Sequence, residues 1–199
     1  MPSDAVLHQA AALCLTYPDD AFRARLPLLR EAAPQLREFT DHAAVTPALE
    51  LAAHYVRVFD SGDRCSLRLS RWQDADTRRR GMTPARFGDV YRAAGLEMTD
   101  GERPDFLPAV LEFTARTGDT GLLAGHRAGL ERLRTALTDL GTPYATVLTA
   151  VCATLPAPGS ATTGATAGTT PVAGARGTAR PATSDPRPPD DGPRHPSGR

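Results

Sequence analysis

The stretch DTGLLAGHRAGLERLRTALTDLG, Asp119 to Gly141, decides the fold class. Leu123, His126, Leu130, Leu133, Leu137 and Leu140 recur at steps of three and four, which places them on one face of a single long α-helix. Asp119 stands where such a helix starts. Gly141 stands where it ends, because glycine takes the left-handed conformation of a helix C-terminus without strain. A face this continuous has to be buried against other helices.

Working outward, the punctuation stays helical. Thr142-Pro143 is a capping residue followed by proline at the first helical position, where a missing N–H costs least, and Tyr144, Val147, Leu148 and Val151 follow it as a stripe. Thr46-Pro47 repeats the signal before Leu49, Ala52, Val56 and Phe59. Thr83-Pro84 repeats it before Phe87, Val90, Tyr91 and Ala94, with Gly95 as the stop. Near the start, Ser3 or Asp4 caps a helix carrying Val6, Ala10, Leu13 and Tyr17, closed by Tyr17-Pro18. Asp19 or Asp20 opens a second helix through Phe22 and Leu26, bent or restarted at Pro27, and Pro34 opens a third through Leu36 and Phe39. Strand-like alternation is confined to Cys65–Ser70, too short and isolated to found a sheet. The pattern predicts an all-α, single-domain helical bundle of about seven or more helices.

The folded part should end early. All 11 aromatic residues precede residue 145, and after Leu155 the only large aliphatic is Val172. Residues 156–199 hold nine prolines and seven glycines. Ordering such a segment costs about 1–2 kcal/mol per residue with no apolar burial to offset it. The sequence therefore predicts a folded domain over 1–155 and a disordered Pro/Gly/Ala/Thr-rich tail over 156–199.

Charge excludes further classes. The 23 basic residues, all arginine, balance 23 acids, so no chain-wide field favours nucleic acid or an anionic membrane. The longest apolar run, Ala10–Leu15, is six residues against roughly 20 for a membrane span. With Asp4 near the start and no arginine before Arg23, no secretory signal is expected and the chain reads as cytoplasmic. Lys, Asn and Ile are absent, as a GC-rich coding sequence would produce, so arginine here is a weaker sign of anion recognition than usual. Cys14, Cys65 and Cys152 lie too far apart to suggest a disulfide framework or a zinc site.

Enzyme motifs do not emerge. Phosphate-binding glycine loops, H-E-x-x-H and G-x-S-x-G are all missing. Glu50 and His54 stand four apart on one helix, a spacing that metal ligands use, but no second pair answers them. His126 on the leucine face is a candidate general base or a core histidine. Asp76-Thr77-Arg78-Arg79-Arg80-Gly81 is the one dense charge run, and its adjacent arginines diverge around a helix, so they suit a protein partner or the flanking aspartates better than DNA.

The order of segments then becomes informative. Tyr55-Val56-Arg57-Val58-Phe59-Asp60, Arg64-Cys65-Ser66-Leu67-Arg68-Leu69, Asp76 to Met82 and Pro104-Asp105-Phe106-Leu107-Pro108 onward to Phe113 together resemble the NarJ-type nitrate reductase assembly chaperones, within the TorD-like group of redox-enzyme maturation chaperones. The similarity runs from Leu15-Thr16-Tyr17-Pro18 to Leu155-Pro156. One departure is Glu102-Arg103-Pro104-Asp105, with a charge where the family usually has leucine. The resemblance implies a helical, cofactor-free cytoplasmic protein without catalysis. It implies binding to the N-terminal segment of the nitrate reductase catalytic (alpha) subunit, holding that subunit competent for molybdenum cofactor insertion.

On this basis the candidate client-peptide site comprises Tyr55, Phe59, Asp60, Arg79, Arg80, Tyr91, Pro104, Asp105, Leu107, Pro108, Glu112, Phe113 and His126. Physically, Pro104 and Pro108 fix a rigid corner around Asp105, which is expected to cap the helix through Val110 and Phe113. Asp60, Asp105 and Glu112 would meet basic residues of a guest helix, and Arg79 or Arg80 its acids. Three or four apolar anchors at roughly 1.5–3 kcal/mol each, less about 2–5 kcal/mol for folding a leader, reach micromolar affinity at best. A second contact beyond the leader is therefore expected. The alternatives from other classes are a small helical hydrolase using His54 or His126 with Asp105, and a helical scaffold for an unrelated partner.

Overall fold

The computed structural model describes residues 3–61, 63–72, 84–97 and 103–156. The predicted tail beyond Pro156, Thr83, and the charge run with Arg79 and Arg80 lie outside the described residues. Nine α-helices occur among the described residues: α1 (Asp4–Cys14), α2 (Asp20–Ala32), α3 (Arg37–Val45), α4 (Ala48–Tyr55), α5 (Pro84–Ala93), α6 (Leu107–Thr117), α7 (Gly121–Gly125), α8 (Arg127–Asp139) and α9 (Tyr144–Ala153). The all-α expectation holds. Shorter 3₁₀ turns occupy Pro34–Leu36, Asp63–Cys65 and Leu69–Trp72, and a π-helical turn extends α4 over Val56–Asp60.

α1 is the central rod, packed on α6, α9 and α2. Its residues Ala10, Ala11 and Ala12 are buried together with Leu7, Cys14 and Leu15, so it is enclosed on most sides rather than along one stripe. Small side chains permit that close approach. Val6 and Tyr17, expected on the core face, are exposed. Local caps follow the sequence where a side chain is free to form them: Ser3 accepts from the Val6 N–H, and Asp19 Oδ1 accepts from the Phe22 N–H at 2.8 Å. α2 runs unbroken through Pro27, whose exposed position leaves water to satisfy the carbonyl it orphans.

Two Thr-Pro signals mark the right places by the wrong means. Neither α4 nor α9 has a side-chain cap, and each begins directly after its proline. Thr46 Oγ1 instead donates to the His42 carbonyl at 2.7 Å, closing α3, while the Thr142 hydroxyl meets His54 Nε2 at 2.8 Å. Gly95 and Gly141 do end their helices, at φ of 72° and 62°.

The single long helix expected over 119–141 is two. At His126 the backbone turns to φ −111°, ψ 14°. The cause lies in the side chain, whose Nδ1–H donates to the Leu122 carbonyl at 2.8 Å, the acceptor that the His126 N–H would use in a continuous helix. That N–H falls back to Leu123 O at 3.1 Å. Leu123, Leu130, Leu133 and Leu137 stay buried across the break, whereas Leu140 lies beyond the last turn and is exposed.

The stripe expected inward on α4 holds only in part. Phe59 is buried as expected and Ala52 is half-buried, but Leu49 is 84% exposed and Val56 38%, and Leu51, Tyr55 and Val58 are buried instead. The π-helical turn, closed by the Ser61 N–H to the Val56 carbonyl at 2.9 Å, rotates each residue less than an α-turn does, so Val56 and Phe59 part company.

Two histidines tie distant elements together. His8, 1% exposed, meets Thr154 Oγ1 at 2.8 Å, joining α1 to the end of α9. Burial holds its pKa below the ordinary 6.5, with Asp4 pulling it partly back. His54 is lowered too, by burial first, then by Arg57 and His42. The unfolded chain therefore takes up protons near pH 6.5 that the folded one resists, so stability is full above that pH and declines below it. For His8 the decline is at most about 1.4 kcal/mol per pH unit. Urea midpoints should be level from pH 8 to 7 and fall toward pH 5.5. The fall should be smaller in His8→Gln, and an identical profile in that variant would refute the assignment.

Candidate functional site

A cleft forms where α4 ends. Tyr55, the last residue of α4, and Phe59 and Asp60 of the π-helical turn form one wall. Their rings belong to an aromatic cluster, Tyr55 lying 5.0 Å from Phe59 and Phe59 4.8 Å from Tyr144, centroid to centroid. Burial, then the Asp60 charge, raises the Tyr55 phenol above its ordinary pKa and keeps it protonated. Its hydroxyl donates to the Leu15 carbonyl at 3.2 Å.

The other wall comes from two segments far apart in the chain. Leu69 N–H donates to the Asp105 carbonyl at 2.9 Å, and Leu107 N–H to the Leu67 carbonyl at 2.8 Å. These bonds flank an isolated antiparallel bridge between Arg68 and Phe106, so the strand-like alternation at 65–70 is real but extends to one bridge. Leu67, Leu69 and Leu107 go into the core. Arg68 and Phe106, opposite one another, share a face.

Asp105 fastens this strap. Only 1% exposed, its carboxylate accepts from the Ser70 hydroxyl and lies 3.4 Å from Arg68 Nε. It does not cap α6, whose first turn has Phe106 in the cap position and no side-chain cap. From behind, the Tyr91 hydroxyl donates to the Pro104 carbonyl at 2.8 Å. Trp72 Nε1–H donates to the Ser66 carbonyl at 2.7 Å, and Trp72 rests on Gly129 of α8, where an added Cβ would come within 2.7 Å of Trp72 Cβ.

The resulting cleft has a volume of about 210 Å³, bounded by Tyr55, Phe59 and Asp60 on one side, Ser66, Leu67 and Arg68 on the second, and Arg103 and Phe106 at the turn. Of the residues expected to contact a guest, Tyr55, Phe59 and Asp60 lie on it. Tyr91, Asp105, Leu107, Phe113 and Pro108 are buried behind it, Tyr91 and Phe113 with rings 4.9 Å apart. Glu112 is half-buried on α6. His126 packs against Phe87 at 5.1 Å. Arg68, Ser66 and Phe106 are not among the site residues the sequence suggests, although all three lie in the segments that carry the family resemblance, and Ser66 and Arg68 also in the period-two pattern at 65–70.

Among the described residues the groups of the hydrolase alternative do not come together. His54 bonds to Thr142 and stacks on the Tyr144 ring at 5.9 Å, His126 donates to Leu122, and Asp105 is held by Ser70 and Arg68. The three cysteines are free and buried, with burial pushing Cys14 up to about 12 and Cys152 to about 11. Such thiols are poor nucleophiles. Among the described residues no cluster of three or more His, Cys, Asp or Glu is arranged to hold a metal ion, and no helix is long and apolar enough to cross a membrane.

The family model of the nitrate reductase delta subunit matches residues 24–150, a span that contains every wall of the cleft. The chain belongs to this family. Within the delta subunit family and its surroundings, it is 36% identical over 157 residues to the nitrate reductase-like protein NarX of Mycobacterium tuberculosis, covering 75% of this chain and 24% of that one. It is 32% identical over 120 residues to the Bacillus subtilis protein described as a probable nitrate reductase molybdenum cofactor assembly chaperone, NarJ, covering 55% and 65%. Identity to NarW of Escherichia coli, described in the same terms, is 34% over 105 residues, covering 51% and 46%. The chain thus spans a quarter to two thirds of these relatives' lengths. Its fold is that of an Archaeoglobus fulgidus chain described as a redox enzyme maturation protein, with a TM-score of 0.60 at 19% identity over 75% of this chain and 92% of that one. For a delta subunit family member, the four ordered sequence blocks noted above acquire a spatial meaning. Three of them meet at the cleft, and the fourth, Asp76–Met82, lies outside the described residues.

Proposed function

We propose that this protein is a non-catalytic, cytoplasmic chaperone of nitrate reductase assembly. It binds the N-terminal segment of the catalytic alpha subunit and holds that subunit competent for molybdenum cofactor insertion. Residues 1–155 are the chaperone domain and 156–199 an appended tail. Family membership and the descriptions of the NarJ and NarW relatives support the client class. The observation that carries the site is the cleft itself, an aromatic floor with charged rims assembled from three segments that share no local reason to meet. Exposed Leu49 and Val56, on the helix that leads to it, add apolar surface for the second contact that leader energetics require.

The test is a titration with a synthetic peptide of the leader from the nitrate reductase encoded in the same genome. A ligand selective for the native state stabilises it, by about 1.4 kcal/mol at ten times Kd. The melting temperature should rise with peptide concentration. An alpha subunit lacking its N-terminal segment should bind more weakly than the intact subunit, and equal binding would remove the leader from the proposal.

A further inference from the structure

We infer that Arg103 is a specificity residue of the cleft, pairing with a carboxylate of the bound client segment beside the apolar side chain that the cleft receives. The inference rests on the client function proposed above. At about 210 Å³ the cleft falls below the roughly 300–1,000 Å³ of small-molecule sites and suits one large side chain on the rings of Tyr55, Phe59 and Phe106.

Three charges stand around that seat, and they are not equivalent. Arg68 is committed to Asp105, its Nε lying 3.4 Å from the buried carboxylate. Asp60 and Arg103 are both exposed, yet among the described residues no ion pair joins them, and the Arg103 guanidinium has no hydrogen-bonding or ionic partner there. Its backbone is nonetheless fixed: the Arg103 carbonyl accepts from the Phe106 N–H at 3.0 Å, and the next carbonyl from the Tyr91 hydroxyl. A guest seated against these walls displaces water from the Arg103 guanidinium, which then requires an acceptor. Asp60 repels acids at its own position. The two charges therefore orient the guest, with an acidic residue toward Arg103.

The experiment uses the full chain and three forms of the leader peptide: native, with every Asp and Glu changed to Asn and Gln, and with every Lys and Arg changed to Gln. Wild-type protein should bind the acid-free form about fivefold more weakly than the native form, the scale of a partly exposed charge pair. Arg103→Gln should bind those two forms alike, and its sensitivity to loss of the guest's bases should match wild type. The acid-dependent difference should also shrink at high salt. Indifference of the wild-type chain to the guest acids, or an equal loss in Arg103→Gln, overturns the assignment while leaving the client function standing. Failure of the native leader to bind wild-type protein at all overturns both.

Discussion

Asp105→Ala should lower the unfolding free energy by about 2–3 kcal/mol, measured as a shift of the urea midpoint at constant slope. Removing one member of a buried ion pair costs about 3–5 kcal/mol when the other is left stranded. Here Arg68 has 38% of its side chain exposed and regains water, which trims the loss. The Ser70 hydroxyl loses its acceptor as well, so Ser70→Ala should reproduce about 1 kcal/mol of the effect. Client binding should fall with stability, because the strap that presents Arg68 and Phe106 loosens. From sequence alone Asp105 looks like a helix cap that also greets the guest. Its burial makes it the fastening of the site's wall, and a variant within 0.5 kcal/mol of wild type would contradict that role.

The second large effect is expected at Gly129. By helix propensity, Gly129→Ala in the first turn of α8 should be neutral or stabilise by up to about 1 kcal/mol. The expected result is a net loss of about 2 kcal/mol, because the added Cβ would lie 2.7 Å from Trp72 Cβ and 3.3 Å from the Trp72 carbonyl oxygen. Both atoms are tied to the backbone, and overpacking a rigid contact costs about 1–3 kcal/mol or more. Arg132, whose guanidinium donates to that same carbonyl, would be displaced too. Gly125 provides the control: a Cβ there meets nothing within 4 Å, so Gly125→Ala in α7 should be neutral or stabilising. If both substitutions stabilise, the Trp72 seat is looser than described.

These two positions show how far the sequence carries. Nothing local distinguishes Gly129 from Gly125, since both interrupt the same leucine repeat. The difference is made by a tryptophan more than 50 residues away in the chain, whose carbonyl Arg132 also reaches. Likewise Ser70 and Asp105 are 35 residues apart, and a pairing at that separation leaves no periodic mark.

Sequence by itself determined the helical class, most helix boundaries and the family. Capping side chains, prolines at helix starts and glycines at helix ends act through the backbone within a turn of where they stand, and those forces are the same in any surrounding. Tertiary structure decided which apolar faces found a partner. Leu49 and Val56 point to water although their spacing matches a core stripe, because the face of α4 that meets the core is the one carrying Leu51 and Tyr55, and the π-helical turn then separates Val56 from Phe59. It also decided that the 119–141 helix breaks, since His126 takes the Leu122 carbonyl for its own ring. The cleft belongs wholly to this second kind: its walls come from segments that meet only because the core beneath them closes.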